Sequence, residues 1–408
     1  MQECADRMNR GSHVAVDAEP TGATDLLVYL RECRELVAEE IKRILPEDPR
    51  FHDVLYRLML EYPLREGKGL RPALCVATSR AVGGQLETVL RTAAVLELYH
   101  NAFLIHDDVE DESWLRRGEL TLHREHGLAI AVNVGDAMLA LTLQPLLDNV
   151  PLIGLGLSLR VLMEIAHMTR CSVEGQALEL DWVRRGRFDL DDADYVTMVE
   201  RKTGWYSFIS PVVLGATIAG LKQSRIEELA GFARSLAVAF QIQDDILNLE
   251  GDPLQYGKEI GGDLWEGKRT LILLHMMRSA SPTQRRRAER ILAKARPALA
   301  GRVGDATVGH LSRVIDRLCT DGDLTARGRQ RLNRALRCSA PAEKTDAEVR
   351  YLRQLVDDAG SLDYARRVAL RFAEDARRRL ADCGRWLVTS AHRDVLEATV
   401  GFVIERVQ

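Results

Sequence analysis

Apolar residues recur at helical spacing through almost the whole chain after residue 25, and this pattern constrains the fold most strongly. Long helical runs are predicted at 85–112, 124–147, 155–182, 191–221, 225–249 and 268–280. Helix-stopping pairs such as Gly83-Gly84 and Ala219-Gly220 separate neighbouring runs. The sequence contains no series of short alternating strands. We therefore expect an all-α protein, a single-domain helical bundle around one central cavity.

An acidic cluster closes one of these apolar runs. Asp107, Asp108 and Asp111 share one helical face, because positions three and four apart are neighbours on a helix. Adjacent carboxylates repel each other unless a cation holds them, and their oxygens suit Mg²⁺, which also bridges to phosphates. Arg116 and Arg117 follow and offer forked donors for phosphate oxygens. This segment predicts a combined metal and diphosphate site.

A second cluster repeats the spacing with an amide in the third position. Asp244, Asp245 and Asn248 lie on one predicted helix, and the glycine-rich block 257–268 then adds Lys258 and Lys268. An isolated acidic cluster on a helix is usually a solvated face. Two such clusters facing each other across a bundle could instead clamp a diphosphate through several Mg²⁺ ions.

Composition indicates a soluble protein. Hydrophobic residues make up 46% and charged residues 28% of 408 residues, and the net charge of −4 gives no reason to expect nucleic acid as a partner. The seven cysteines are odd in number and form no Cys-x-x-Cys pair, so we expect neither a disulfide framework nor a zinc site. Reduced thiols are typical of a cytoplasmic protein.

Three segments need a separate interpretation. Residues 1–24 mix glycine, proline and charge without periodicity, and we expect a flexible tail rather than a secretory signal. The apolar stretch 128–147 contains Asn133, Asp136 and Pro145, which favours a buried bundle helix over a membrane span. Residues 285–340 hold fourteen lysines and arginines against five acidic residues, a net charge of +9.

This basic segment looks like an insertion in the domain of residues 25–408, built from helices at about 288–300 and 306–318 and a basic stretch to 340. Its first interpretation is a solvated basic surface. Attraction to an anionic membrane surface is the alternative. After it, Thr345 and Glu348 predict a helix that starts with a capping box.

The motifs, in this order along the chain, resemble the trans-type isoprenyl diphosphate synthases, the polyprenyl synthetase family. The resemblance covers roughly residues 25–290 and 343–408 and includes the block Gly67–Pro72 and the pair Gly175-Gln176. Three positions depart from the family pattern. Gly69 replaces a bulkier basic residue, Glu179 replaces an aspartate, and Asn248 replaces the third aspartate of the second motif.

The resemblance implies roles for individual residues. Ligands of isopentenyl diphosphate are expected at Lys68, Arg71, His100 and Arg117. Contacts to the allylic diphosphate are expected at Arg116, Lys202 and Lys258, with Lys268 in support. Thr203 and Gln241 are expected to face the developing allylic cation. Metal ligands, for about three Mg²⁺ ions per site, are expected at Asp107, Asp108, Asp111, Asp244, Asp245 and Asn248.

The implied reaction is head-to-tail prenyl transfer from an allylic diphosphate to isopentenyl diphosphate. The expected catalytic set is Asp107, Asp108, Asp111, Arg116, Lys202, Asp244 and Lys258. Residues below the first aspartate set the product length in this family. At 1.5 Å rise, Phe103 and Ala102 lie about 6 and 7.5 Å down the helix, and Tyr99 about 12 Å. Ala102 leaves one side open, which favours the C20 product geranylgeranyl diphosphate.

Several alternatives stay open at this point. A C15 farnesyl diphosphate synthase would use the same mechanism with Phe103 as the floor. A class I terpene cyclase shares the bundle but needs no second diphosphate pocket, and a non-catalytic partner subunit would be expected to lose carboxylates. Homodimerisation is expected from the family. The allylic primer, the purpose of 285–340 and the pathway served are not indicated by the sequence.

Overall fold

The structure of the protein is a computed structural model that describes residues 25–65, 67–251, 260–296, 305–338 and 343–405. Within these residues the chain is helical apart from one two-stranded antiparallel ribbon of four residues, in which Leu115 pairs with Leu120 and Arg116 with Glu119. The all-α prediction is therefore confirmed. The tail at 1–24 and Lys258 lie outside the described residues, so their predicted properties stay predictions.

The elements of the first half surround one end of the core. In chain order they are α1 (Leu26–Ile44), α2 (Pro49–Phe51), π1 (His52–Tyr56), α3 (Arg57–Leu64), α4 (Leu70–Ala81), α5 (Leu86–Glu110), β1 (Leu115–Arg116), β2 (Glu119–Leu120), α6 (Leu122–Glu125), α7 (Leu128–Leu141), α8 (Leu143–Leu147) and α9 (Val150–Arg184). Here π1 and the later π2 are π-helical segments, each continuous with its neighbouring α-helices.

The second half supplies the central helix and the basic segment. Its elements are α10 (Asp192–Val199), π2 (Glu200–Ile209), α11 (Ser210–Ile218), α12 (Gln223–Glu250), α13 (Gly262–Glu266), α14 (Leu271–Ser279), α15 (Pro282–Leu292), α16 (Asp305–Thr320), α17 (Ala326–Cys338), α18 (Asp346–Asp358), α19 (Ser361–Cys383) and α20 (Ala391–Glu405). Capping boxes start α10, α15 and α18. The one at Thr345 and Glu348 confirms the sequence prediction.

Helix α12 organises the hydrophobic core. It packs along α19 and also contacts π2 and α11. Phe232 and Leu236, in its first half, belong to one buried apolar cluster together with residues of α1, α4 and α5. Ile242 and Ile246, near its end, belong to a second cluster together with residues of α14, α15 and α18. The second acidic motif therefore lies on a helix that is packed on several sides, which fixes its position.

The apolar stretch 128–147 differs from the expected buried helix. It forms α7 and α8, which meet at Thr142, and Leu128 and Leu143 are exposed. Only 39% of its most apolar window is buried in the single chain, and 17% of the corresponding window in α9. Both stretches are long and apolar enough to cross a membrane by length and composition alone. Both stretches therefore leave apolar side chains exposed in the single chain.

The basic segment contains more helix than the sequence indicated. The helix predicted at 306–318 lies within α16, and α17 adds a further helix in the predicted basic stretch. The bounds predicted as 288–300 are wrong, because α15 runs from Pro282 to Leu292, and 297–300 lie outside the described residues. Both ends of the segment meet at its base, where Ala295 and Glu343 form a parallel bridge and Lys344 N donates to Ala295 O at 2.9 Å. The chain thus leaves the bundle and returns to it at the same place. The status of this segment as an insertion stays a prediction.

Candidate active site

A cavity of about 640 Å³ lies between α5, α9, π2 and α12. Residues of both acidic motifs line it, together with basic side chains from the loop before α4. The sequence-predicted residues that line it are Lys68, Arg71, His100, Phe103, Asp107, Arg116, Arg117, Lys202, Thr203, Gln241, Asp244, Asp245 and Lys268. The chain fold brings together residues that are separated by up to 200 positions in the sequence.

The three aspartates of the first motif do not share one environment. Asp107 faces the cavity and accepts a hydrogen bond from Lys202 Nζ at 3.1 Å. Asp108 is fully buried and faces away from the cavity. Asp111 follows the end of α5 and accepts from Lys268 Nζ at 2.5 Å. Burial, together with the charge of Asp107, raises the pKa of Asp111.

Asp108 is held by two buried donors. Tyr62 Oη donates to its Oδ2 at 2.8 Å, and Arg116 Nε donates to its Oδ1 at 3.0 Å. Burial alone would lower the pKa of Arg116, but the neighbouring carboxylate of Asp108 raises it. Such a buried, charge-assisted pair fixes geometry more than it adds net stability. Arg116 therefore anchors the β1–β2 ribbon to the end of α5, beside the cavity.

The second motif is held by neutral donors. Asp245 accepts from Tyr195 Oη at 2.7 Å and from Gln241 Nε2 at 2.9 Å, and burial raises its pKa to about 7. Asp244 lines the cavity. Asn248 Oδ1 accepts from the backbone N–H of Asp263 at 3.1 Å, which ties the motif to the glycine-rich loop before α14.

Two lysines connect the acidic groups across the cavity. Lys202 donates to Asp107 and forms a short ion pair with Glu179, and Lys268 lies between Asp111 and Glu266. Burial disfavours the charge on Lys202, but Asp107 and Glu179 more than offset it and raise its pKa. Glu179, the residue that departs from the family pattern, therefore contributes to the site as a partner of Lys202.

The placement of Lys202 depends on a close backbone approach. Lys202 and Thr203 lie in π2, where π-helical turns are frequent at functional sites. Opposite them is Gly175 of α9, where a Cβ atom would lie 2.1 Å from the backbone N of Lys202. Only glycine fits at this crossing. The Gly-Gln pair of the sequence is thus the position where α9 touches π2.

The basic side chains that line the cavity form a separate pocket. Arg71 Nη2 donates to Ser207 Oγ at 2.8 Å, and its guanidinium lies 5.0 Å from the ring centroid of Tyr206. His100 stacks on the other side of this ring, with centroids 5.8 Å apart. Burial and the nearby charges of Arg71 and Arg117 lower the pKa of His100. The imidazole is therefore neutral at physiological pH, and its buried Nδ1 makes no hydrogen bond with the part of the chain that the structure describes.

Arg117 closes this pocket from the β1–β2 ribbon. Its backbone has a positive φ of 56°, and its Nη1 donates to Tyr62 O at 2.8 Å. The guanidinium of Arg117 lies against Gly67, where a Cβ atom would be 2.8 Å from its central carbon, so a larger residue at 67 would displace this side chain. Lys68 lies beside Gly67, with its ammonium 4.9 Å from the ring centroid of Phe402 in α20. A doubly charged phosphate group would find three cations here, which are Lys68, Arg71 and Arg117.

The predicted chain-length residues lie one behind the other. Phe103 lines the cavity, and the ring of Tyr99 lies 6.0 Å behind it. Phe103 also contacts Tyr206 edge-on, at 5.3 Å between centroids. Ala102 and Tyr99 are buried and are not among the residues that line the cavity. Their influence on product length stays a prediction.

Sequence reasoning missed the tyrosines that hold the two motifs. Tyr62 and Tyr195 are separated from their aspartate partners by 46 and 50 positions, and nothing in an apolar helix indicates such a partner. Asp263 and Glu266 were also missed, although both lie within the quoted glycine-rich block. An acidic residue next to a lysine in a predicted phosphate loop is a signal that could have pointed to them.

The donor set of the two acidic motifs fits a divalent metal. Carboxylates of both motifs, Asp107, Asp244 and Asp245, line one cavity, and Asp111 and Asn248 line a small pocket beside it. Burial raises the pKa values of Asp111 and Asp245, and a divalent cation would favour their charged forms. Among the described residues, the one group of three side chains whose ligand atoms lie within 4.8 Å of one another is elsewhere, at Glu61, Glu125 and His126. Arg57 and Arg65 already pair with Glu61, so we assign no metal to that group.

Comparisons with known proteins agree with this site. A family model described as polyprenyl synthetase matches residues 52–306. Geranylgeranyl diphosphate synthase of Sulfolobus acidocaldarius is 33% identical over 250 residues, which cover 60% of this chain and 73% of that protein. Octaprenyl diphosphate synthase of Escherichia coli is 36% identical over 218 residues, which cover 53% and 64%. The crystal structure of geranylgeranyl pyrophosphate synthetase from Pyrococcus horikoshii has 27% identity and a TM-score of 0.72, covering 93% of this chain and 98% of that one.

A helical bundle with two facing acidic motifs and a second phosphate pocket defines a prenyl-transferring enzyme that acts on isoprenoid diphosphates. The chain belongs to the polyprenyl synthetase family and is a trans-isoprenyl diphosphate synthase. Enzymes of this family need a divalent metal. The cyclase and partner-subunit alternatives are not favoured, because the matching relatives are diphosphate synthases.

Proposed function

We propose that the enzyme condenses isopentenyl diphosphate with allylic diphosphates and releases geranylgeranyl diphosphate, the C20 product. The single observation that supports two-substrate chemistry is that one cavity is lined by two groups of residues, each suited to bind a phosphate. The acidic group suits a metal-bound diphosphate, and the group of Lys68, Arg71 and Arg117 suits a second one without metal. The C20 assignment is supported by the geranylgeranyl synthases among the relatives and by Tyr99 behind Phe103.

The metal in this proposal is Mg²⁺, with about three ions per site. It would be held by carboxylate oxygens of the two motifs, with Asn248 and Asp108 as the least direct candidates because Asp263 N and Arg116 already occupy them. When bound, Mg²⁺ supplies Lewis-acid stabilisation to the departing diphosphate. Asp107, Asp111, Asp244 and Asp245 are the remaining ligands.

The protein's own groups carry the rest of the mechanism. Lys202, Lys268 and Arg116 stabilise the negative charge that develops on the leaving diphosphate as the allylic C–O bond breaks. Thr203 and Gln241 present oxygen atoms to the allylic cation. The double bond of isopentenyl diphosphate attacks this cation, and the new C–C bond forms. The released pyrophosphate takes the proton that is then lost, and the cavity excludes water from the cation.

Product analysis tests the reaction and the chain length together. The purified enzyme is incubated with Mg²⁺, isopentenyl diphosphate and one allylic substrate. Dimethylallyl, geranyl and farnesyl diphosphate are tested in separate reactions, and each is also incubated without isopentenyl diphosphate. A linear C20 diphosphate is expected. Phe103→Ala and Tyr99→Ala should lengthen the product, because each removes a ring below the first aspartate. A C15 or a much longer wild-type product would overturn the C20 assignment, and a cyclic hydrocarbon formed without isopentenyl diphosphate would overturn the reaction.

A homodimer is also part of the proposal. An apolar face on α8 and α9 is exposed in the single chain, and its largest members are Leu143, Leu147, Leu155, Leu159 and Met163. A contiguous apolar face of this kind marks an interaction surface. Light scattering should give twice the chain mass, and Leu155→Glu with Leu159→Glu should give monomers. A monomeric wild-type protein at micromolar concentration would contradict this assignment.

We further propose a cytoplasmic enzyme that contacts anionic membranes through α16 and α17. Cys33, Cys75, Cys171, Cys319 and Cys383 are free thiols, as expected in a reducing compartment. Exposed arginines on the two helices flank exposed Val314, Leu318 and Leu332, a composition that suits an anionic lipid surface. Binding to phosphatidylglycerol vesicles should weaken as salt is added and in the variants Arg327→Glu and Arg331→Glu. Equal binding to neutral phosphatidylcholine vesicles would contradict the membrane contact.

The cytoplasmic location is tested separately, by thiol labelling of intact cells.

A further inference from the structure

Tyr62 of α3 contacts both the end of α5 and the β1–β2 ribbon. Its Oη donates to Asp108 Oδ2 at 2.8 Å and accepts from the backbone N–H of Leu122, just after the ribbon, at 3.1 Å. Its carbonyl oxygen accepts from Arg117 Nη1 at 2.8 Å. The residue is buried, and burial together with the charge of Asp108 raises the pKa of its hydroxyl. The hydroxyl therefore stays protonated and remains a donor to Asp108.

The ribbon is too small to hold its own position. Each strand has two residues, and an isolated two-stranded hairpin is at best marginally stable in water. The turn between the strands includes Arg117, whose positive φ of 56° is unfavourable for a residue with a Cβ atom. The position of the ribbon therefore depends on contacts with the neighbouring helices, and the contacts of Tyr62 are buried ones.

The ribbon carries one arginine for each of the two diphosphates. Arg116 Nε lies 3.0 and 3.1 Å from the two oxygens of Asp108, so this guanidinium follows the orientation of the carboxylate. Tyr62 Oη donates to the same carboxylate. Without this hydroxyl the Asp108 carboxylate could rotate, and the backbone N–H of Leu122 would lose its acceptor. Both arginines of the ribbon would then be less precisely placed, and small displacements of binding groups are costly.

We propose that the Tyr62 hydroxyl is a positioning group for both substrates, because it holds the ribbon where Arg116 serves the allylic diphosphate and Arg117 serves isopentenyl diphosphate. No proton or group is transferred in this role. The proposal rests on the diphosphate roles proposed above for the two arginines. Its consequence is that one hydroxyl outside the acidic motifs sets the affinities for both substrates, which should therefore change together.

Steady-state kinetics of Tyr62→Phe test this coupling. The variant keeps the ring and the backbone carbonyl and removes only the hydroxyl. KM for the allylic diphosphate and KM for isopentenyl diphosphate should each rise roughly tenfold, which corresponds to about 1.4 kcal/mol of binding free energy. KI for inorganic pyrophosphate should rise with the allylic KM. At saturating concentrations of both substrates kcat should change much less, because Asp107 and Lys202 keep their contact.

Two other buried tyrosines provide matched controls. Tyr29 forms a hydrogen bond with His392 Nδ1 at 3.1 Å and does not line the cavity. Tyr29→Phe should lower the thermal midpoint and leave both KM values unchanged. Tyr195 Oη donates to Asp245 of the second motif. Tyr195→Phe should raise the allylic KM without raising the KM for isopentenyl diphosphate, because its hydroxyl holds the second motif and not the ribbon.

A second variant loosens the ribbon without removing a donor from an aspartate, and it keeps the proposal testable if Tyr62→Phe does not fold. Arg65 Nη1 donates to Leu120 O in β2 at 2.8 Å. Arg65→Gln should also raise both KM values together, whereas Arg57→Gln, at a more exposed arginine of the same helix, should raise neither. Unchanged KM values in folded Arg65→Gln would refute the claim that the position of the ribbon sets both affinities.

The outcomes separate this proposal from the function itself. A rise in only one KM, or in neither, in folded Tyr62→Phe would overturn the proposal, even if the thermal midpoint falls. If Arg116→Gln and Arg117→Gln leave the KM of their substrates unchanged, the roles of these arginines fail and this proposal fails with them. If those two variants raise the expected KM values but Tyr62→Phe does not, only the proposal for Tyr62 is wrong. An inactive wild type would instead refute the proposed reaction.

Discussion

The two acidic motifs use different means to hold their carboxylates. In the first motif, Asp107, Asp108 and Asp111 are paired with Lys202, Arg116 and Lys268 respectively. In the second motif, the buried carboxylate of Asp245 receives only neutral donors, Tyr195 and Gln241. Both motifs have the same spacing in the sequence, so the difference arises from which helices pack against them.

This contrast indicates how the site is prepared for a metal. Lys202, Arg116 and Lys268 already pair with the first motif, so it keeps its arrangement without metal. A metal held by Asp107 and Asp111 would take the place of the two lysines, which would then be available to phosphate. Among the described residues, only Tyr195 and Gln241 donate hydrogen bonds to the Asp245 carboxylate, and burial raises its pKa to about 7. The second motif therefore depends more on the metal for its charged state.

The largest expected effect separates the aspartates of the first motif by function. Asp107→Asn should lower kcat by roughly a thousandfold, the scale of losing a central electrostatic group, because Asp107 faces the cavity. Its thermal midpoint should stay close to that of the wild type, since Lys202 keeps Glu179 as a partner. Steady-state kinetics and a thermal melt check both points, and a folded variant with near-normal kcat would refute the assignment.

The next effect falls on stability. Asp108→Asn should lower the free energy of unfolding by about 3 kcal/mol, because it removes the closest counter-ion of a buried arginine. Arg116 keeps only the more distant Asp107, at 3.5 Å. Urea unfolding measures the loss, with Asp189→Asn as a control at an exposed ion pair. Equal stabilities of the wild type and Asp108→Asn would show that the pair is not a fixed part of the fold.

A pH titration probes the second motif. The pKa of Asp245 is raised by burial from 3.8 to about 7 in the folded chain, so the folded state binds more protons than the unfolded state between these values. Metal-free wild-type protein should therefore lose stability as pH rises from about 4 to 7, by about 2 kcal/mol more than Asp245→Asn. Urea unfolding across this pH range measures the difference in stability. If the curves of the wild type and Asp245→Asn were parallel, the pKa of Asp245 would not be raised by burial.

The smallest effect concerns Lys344, a buried cation whose ammonium donates to backbone carbonyls among the described residues. Lys344 is surrounded by carbonyl acceptors, and burial lowers its pKa from 10.5 to about 8. The unfolded state binds more protons between these values, so wild-type stability should rise between pH 8 and 10.5 relative to Lys344→Met, by about 1 kcal/mol. If the wild type and Lys344→Met showed the same pH dependence of stability, the Lys344 amine would keep its ordinary pKa despite burial.

The sequence predicted the helices and the residues of the site better than their orientation. Periodicity located most of the long helices to within about five residues because each buries an apolar face, but the run predicted at 124–147 is divided into α6, α7 and α8. Spacing could not decide whether Asp107 or Asp108 faces the cavity, since neighbouring residues on a helix point about 100° apart. The break at Thr142 and the π-helical turns at Lys202 depend on packing between distant segments. The contact of Arg296 with Glu266 joins positions 30 apart across an irregular loop, where periodicity carries no information.

Gly175 has a consequence for how this enzyme tolerates change. The distance between α9 and the segment with Lys202 is set by direct backbone contact at this glycine, not by interchangeable side chains. Any added Cβ would move Lys202 relative to Asp107 and so disturb the leaving-group site. In a deep mutational scan, position 175 should therefore stand out as intolerant of every substitution, while the exposed position Glu174 beside it accepts most of them.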